Sequence, residues 1–214
     1  MSVVSKKKSS RSSYRHGDLK RALLEAGIEL ARAGGPDAVV LREATRRAGV
    51  VPNAAYRHFA SRDDLLDAVR SAALSQLAFA MENELAALDS DVDAVQGARN
   101  TLRAIGVGYL QFAATEPGLF RTAFAQIETV EGVTDPAKAG RSGLNPFQLL
   151  GAALDQLVAA KVLPPERRTG AEYLAWSAVH GLAMLRLEGP LRNAPKQHIQ
   201  HLGERLLDMV ERGI

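Results

Sequence analysis

The 214-residue sequence contains no cysteine, which excludes disulfides and thiolate metal sites and fits a reducing cytoplasm. It has no run of eighteen apolar residues, so no membrane span is expected. Its opening, MSVVSKKKSSRSSYR, is charged and serine-rich without an apolar segment, so it does not read as a secretory signal. Aromatic residues are few while alanine, leucine and arginine abound, which suits an all-α protein. No Gly-x-Ser-x-Gly elbow, phosphate loop or Gly-x-Gly-x-x-Gly fingerprint is present, so no catalytic residue and no cofactor is expected. The one metal-like spacing is His198-x-x-His201 with Glu204 a turn further. Two imidazoles at i, i+3 can share a zinc ion, but nothing in the spacing fixes a third protein ligand and surface histidines are commoner; no metal site is expected.

Charge is unevenly placed. Residues 1–70 hold 14 Lys and Arg against 8 Asp and Glu, and the remainder hold 13 against 16. A basic first third before an acidic remainder fits a polyanion-binding module joined to something else. Lys6, Lys7, Lys8 and Arg11 supply most of that excess and could be a solubilising tail, so charge alone is weak support. Residues 1–13 are poor in apolar side chains and are expected to be a disordered basic arm.

The stretch LREATRRAGVVPNAAYRHF, from Leu41 to Phe59, organises the rest. Leu41, Ala44, Thr45 and Ala48 repeat at helical three–four spacing, and Arg42, Arg46 and Arg47 fall outside that stripe. Gly49 can take the left-handed backbone that closes a helix. Val50 then tucks under the turn. Pro52 suits the first turn of a second helix, where its missing N–H is no loss. Helix, glycine turn and a second polar helix spell a DNA-reading helix-turn-helix. Val51 to Ala54 are placed to face base edges, and Asn53 is the residue there able to make a bidentate contact, for instance to adenine. Val51, Ala54 or Ala55 could touch thymine methyls. Phe59 is expected in the core.

The residues of this stretch, continued through AYRHFASRDDLL to Leu66, resemble the signature of TetR-type transcriptional repressors. Tyr14 to Gly27, YRHGDLKRALLEAG, is similar to that family's usual first helix. The resemblance implies an N-terminal three-helix DNA-binding domain at 14–60 and a helical effector-binding and dimerisation domain at 61–214. It implies that Arg42 reaches a base or phosphate, that Tyr56, His58 and Arg62 contact phosphates, and that Thr45, Pro52 and Arg57 belong to the same interface. Family members more often carry glycine or a hydroxyl residue where Ala54 stands, so base specificity does not transfer.

The remaining chain reads as helices. Asp18 is a candidate N-cap of a first helix ending at Ala33, before Gly34-Gly35-Pro36. Ser61 should cap a long helix from Arg62 to about Leu88, with Leu66, Val69, Ala73, Leu77 and Met81 in register. Further helices are expected at about 92–115, 119–125, 146–161, 169–187 and 195–212, with a loop over Glu128–Asn145.

One module of this size makes too few contacts for tight specific binding, so a homodimer on a near-palindromic operator is expected. Ala178, Gly181, Leu182, Leu185, Leu202, Leu206 and Met209 are the candidate dimer contacts; in TetR-like proteins the corresponding helices form a four-helix interface. Tyr109, Phe112, Phe120, Phe124, Trp176, His180 and Met184 are candidate lining of a small-molecule effector pocket. The Trp176…His180-Gly181 spacing also resembles the tryptophan–histidine–glycine motif of one TetR subgroup. A transcriptional activator, or a helical partner-binding protein without a small-molecule ligand, are the rival readings.

Overall fold

The computed structural model describes residues 16–125 and 135–214. The expected basic arm, and the part of the expected 128–145 loop up to residue 134, lie outside the described residues. Every regular element among the described residues is helical. In chain order they are α1 (His16–Gly34), α2 (Leu41–Arg47), α3 (Pro52–Ala55), α4 (Arg62–Ala86), α5 (Ala94–Thr115), α6 (Pro117–Ala123), α7 (Pro146–Ala159), α8 (Ala171–Leu187) and α9 (Lys196–Gly213). No helix among the described residues is long and apolar enough to cross a membrane.

The α1–α3 head is built as its pattern requires. Leu19, Leu23, Ala26, Leu30 and Ala31 of α1 are buried at three–four spacing. His16 and Gly17 are already helical, so Asp18 lies inside α1 and not at its cap. Gly27 lets α1 lie directly on α4: a methyl group there would stand 2.7 Å from Val69 Cγ2. The α2–α3 turn closes through Gly49 at φ 68°. Gly49 N–H donates to Arg46 O at 3.3 Å and Val50 N–H to Thr45 O at 3.1 Å. That pair of bonds satisfies the carbonyls a helix end leaves open. Val50 packs against the core, as expected.

The second helix is shorter than its pattern implied. Regular α3 ends at Ala55, and Tyr56, Arg57 and His58 form a turn. Phe59 N–H still reaches Ala55 O at 3.0 Å, and the Phe59 ring is buried. Asn, Tyr, His and Phe are weak helix formers, and a single turn gives little cooperative gain, so burial of Phe59 decides the path.

From Ser61 the chain enters the bundle. Ser61 Oγ accepts from Asp64 N–H at 3.0 Å, and Asp64 Oδ2 in turn accepts from Ala60 N–H at 2.9 Å. This reciprocal cap fixes the start of α4. α4 packs against α1, α5, α6 and α7 and is the spine of the molecule. Its crossing with α5 is closest at Gly108, where a methyl group would stand 2.6 Å from Met81 Cα. α7 starts with a full capping box, Asn145 and Gln148 each bonding the other's backbone N–H at 2.9 Å. α8 packs on α5, α7 and α9.

The loop before α7 is not free. A 3-10 turn at Pro136–Lys138 runs along α4, and Ser75 Oγ donates to Ala139 O at 2.7 Å. Glu82 is buried and accepts from Arg141 N–H at 2.7 Å, Ser142 N–H at 2.9 Å and Ser142 Oγ at 2.6 Å. Burial alone would raise its pKa, but the hydrogen bonds from Ser142 and Arg141 outweigh it and hold the carboxyl below its ordinary value.

Candidate nucleic-acid interface and ligand pocket

The head presents one polar face. Arg42, Val51, Asn53, Tyr56 and Arg57 are exposed, with Val51 at 69 % and Tyr56 at 58 %. Apolar and aromatic surface at such levels is costly in free solution and ordinary at a contact surface. His58 is half-buried. Ala54 is half-buried against the core, and Ala55 is buried, so Ala55 cannot meet a thymine methyl.

Two expected phosphate ligands are otherwise engaged. Thr45 is 2 % exposed and its hydroxyl donates to Arg42 O at 2.7 Å. It lies under α2 because it shares the Leu41–Ala44–Ala48 stripe, and the bond to its own helix removes the cost of burying the hydroxyl. Arg62 sends Nε to Val39 O at 2.9 Å and a terminal nitrogen to Pro36 O at 2.8 Å. It therefore ties the start of α4 to the α1–α2 connection, satisfying two loop carbonyls instead of reaching outward.

Two further cations, both on α2, are paired with Glu43. Arg46 bonds Glu43 through Nε at 2.9 Å and a second nitrogen at 2.6 Å, and Arg47 Nε lies 3.4 Å from the same carboxylate. The Arg46 hydrogen bonds, with the charge of Arg47, hold the Glu43 carboxyl down at about 2. Arg42, Asn53, Tyr56 and Arg57 are thus the outward-facing polar set. A guanidinium and a phenol can donate to phosphate oxygens, and a carboxamide can read a base edge.

Behind α4 is a cavity of about 700 Å³, bounded by α4, α5, α7, α8 and α9. Tyr109, Phe124 and Trp176 line it as expected. Phe120, His180 and Met184 instead border a smaller hollow of about 370 Å³, next to Pro36 and Asp37 of the head. Phe112 is buried and lines neither; it belongs to the core. The two spaces meet at a hydrogen-bonded set. Trp176 Nε1–H donates to Tyr109 Oη at 3.1 Å, and Tyr109 Oη lies 2.7 Å from His180 Nδ1. The tyrosine hydroxyl and Nδ1 share one hydrogen, and the histidine tautomer sets which of them donates it. Burial lowers the His180 pKa and raises that of Tyr109, so both stay neutral near pH 7.

Sequence reasoning missed much of the cavity wall. Leu74, Met81, Leu102, Ile105, Phe147 and Leu207 line it. Nothing in a three–four repeat separates a wall from a packed core. Arg70 also lines the cavity, and here a signal existed. It stands four residues after Leu66 and four before Leu74, a charge on the inward stripe of α4.

On the far side, α8 and α9 expose a continuous apolar strip. Leu174 is 62 % and Met209 58 % exposed, Leu185 is exposed, and Ala178, Leu202 and Leu206 are half-buried. Gly181 opens onto free space. Leu182, expected on this strip, is already buried within the chain, because it sits next to Ala183 and Val179 on the inward side of α8. His198 and His201 are exposed, and the described residues contain no group of three or more His, Asp or Glu placed to hold a metal.

An exposed polar helix-turn-helix face rooted in a long helix that walls an internal cavity defines a DNA-binding transcriptional regulator. Residues 23–69 match the family of bacterial regulatory proteins of tetR type, and residues 102–210, half of the chain, match the tetracyclin repressor-like C-terminal domain. The chain belongs to the TetR family. No curated protein matches it by sequence. Among solved structures it is similar to a protein of unknown function from Rhodococcus sp. RHA1, with 25 % identity and a TM-score of 0.73 over 95 % of this chain and 99 % of that one. It shares its fold with the transcriptional regulator FadR from Bacillus subtilis in complex with stearoyl-CoA, at 14 % identity and TM-score 0.63 over 91 % and 98 % of the chains. It shares it also with a TetR variant from Acinetobacter baumannii AYE in complex with minocycline, at 17 % identity and TM-score 0.57 over 89 % and 93 %.

Proposed function

We propose that this regulator is a repressor that binds a near-palindromic operator as a homodimer and is released by a small-molecule effector. The observation that carries the reading is the cavity of about 700 Å³ walled by α4, the helix that Arg62 ties to the head. Its volume falls within the range of small-molecule sites. Structures of the same fold hold stearoyl-CoA and minocycline, so the architecture accommodates sizeable molecules. Residues 14–60 serve as the DNA-binding domain, with Asn53 reading a base and Arg42, Tyr56, Arg57 and His58 positioned for the duplex backbone. The exposed strip of Leu174, Ala178, Gly181, Leu185, Leu202, Leu206 and Met209 is the dimer surface, and it supplies the second reading head that specific affinity requires.

Release follows if the effector binds the unbound conformation better than the DNA-bound one. Selection of bound genomic fragments with purified protein would give the operator. Fluorescence anisotropy on that operator, with and without candidate effectors, then tests the mechanism. Equal operator affinity with a compound bound in the cavity would end the effector role for that compound, and a monomer on the operator in sedimentation would end the dimer reading.

A further inference from the structure

The cavity wall holds one guanidinium whose hydrogen bonding its surroundings leave incomplete. Arg70 is 17 % exposed in its side chain and points along the α4 wall. One terminal nitrogen donates to Asp67 Oδ1 at 2.7 Å, but that carboxylate is 65 % exposed and faces solvent. Among the described residues, Arg70 Nε is the buried side-chain nitrogen without a hydrogen-bond partner. A buried donor left open is costly, and for a guanidinium the cost includes charge.

The other polar groups of the wall are committed elsewhere. Arg103 pairs with Asp208 at 2.5 Å, Glu211 with Arg99 at 2.5 Å and Lys138 with Asp135 at 3.8 Å. Asp63 is mostly exposed beside Arg62, and Asn145 uses its side chain to cap α7. Beyond Arg70 the wall turns apolar through Leu74, Met81 and Ile105 and ends in the rings of Tyr109, Phe147 and Trp176.

We propose that the cavity takes an apolar monocarboxylate, its body against the leucine and aromatic wall and its carboxylate on the guanidinium of Arg70, on the side turned away from Asp67. This rests on the reading of the cavity as the effector site. The guanidinium offers a planar donor pair that fits a carboxylate side-on, which an ammonium cannot reproduce. With Arg103 and Lys138 already paired to carboxylates, one guanidinium matches one negative charge and leaves a second, as on a phosphate monoester, without a partner. Arg70 lies two turns into α4, about 12 Å from its first residue at 1.5 Å per residue. The head group would therefore engage the helix that carries the DNA-reading face.

The test uses the full-length protein and the neutral fluorophore N-phenyl-1-naphthylamine as reporter of the cavity. Straight-chain acids of eight to fourteen carbons and arylalkanoic acids compete against it, each beside its matched primary alcohol. The expected result is displacement by at least one acid at an affinity roughly ten- to a hundred-fold above its alcohol, the range of a charge-assisted hydrogen bond. Arg70→Met should bring that acid to the level of its alcohol, and Arg70→Lys, which keeps the charge and loses the planar fork, should keep only part of the preference. An acid no better than its alcohol, a methionine variant that still prefers the acid, or a bound reporter that no acid displaces would overturn the head-group assignment and leave the cavity reading standing. Failure of the reporter and every acid to bind would overturn both.

Discussion

Removing one oxygen from Tyr109 should destabilise the protein far beyond the volume lost. Tyr109 is 3 % exposed. Its hydroxyl accepts from Trp176 at 3.1 Å and shares a hydrogen bond with His180 Nδ1 at 2.7 Å, and its ring stands edge-on to Phe120 with centroids 5.4 Å apart. Tyr109→Phe keeps that ring contact and opens a space smaller than a methyl group, so the cavity term is minor. The polar terms are not. Two net hydrogen bonds of about 1 kcal/mol each vanish, and an indole N–H is stranded in a half-buried site, for a total of about 2–3 kcal/mol. For a protein of this size each kcal/mol moves the melting midpoint by about 2–4 °C, so a fall of about 5–10 °C is expected. Calorimetry at fixed protein concentration measures it. Trp176→Phe and the double variant complete a cycle, in which a coupling of about 1 kcal/mol or more between the two sites is expected. A midpoint within about 1 °C of the parent, or additive single effects, would refute the reasoning, because the hydroxyl would then have no share in holding α5 to α8.

Three further outcomes are expected. Gly108→Ala places a methyl group 2.6 Å from Met81 Cα and 2.8 Å from Ala80 O; backbone cannot yield as a side chain can, so urea denaturation should show a loss of about 1–3 kcal/mol. Glu82 has a folded pKa below its unfolded value, so its contribution is complete above about pH 4.5 and is lost as pH falls through the lower folded value. Glu82→Gln should therefore cost about 1–2 kcal/mol at pH 7 and progressively less as pH falls below about 4.5, a convergence visible in paired denaturation curves. Arg62→Ala should lower the melting temperature while leaving the salt dependence of operator binding unchanged, because its guanidinium holds Val39 and Pro36 carbonyls; Arg57→Ala, on an exposed residue, should leave stability alone and reduce the log–log salt slope by about one.

The parts of this structure that local chemistry controls were legible in the sequence. Gly49 at positive φ, Ser61 capping α4 and the Leu23–Leu30 stripe each involve residues within a few positions of one another. Where the outcome turned on distant partners, the pattern could not choose. Thr45 and Arg62 have side chains suited to phosphate, yet a helix carbonyl three residues back claims one and a loop more than twenty residues back claims the other. On α9 the apolar residues are broad enough for two faces, and Gly203, Leu207 and Val210 turn inward while Leu206 and Met209 turn out. Glu82 and the 140–142 loop find each other across about sixty positions with no signal at either end.

The tight crossing of α4 over α5 at Gly108 has a mechanical corollary. Backbone against backbone makes a poor place to slide and a good place to pivot. From Met81 to the first residue of α4 is about 28 Å at 1.5 Å per residue, so a tilt of about 5° around that point would swing the far end by about 2.5 Å. Gly27 seats α1 on Val69 along the same arm, so the swing would be delivered whole to the head. Small adjustments deep in the bundle would then be enlarged at the duplex without any segment unfolding.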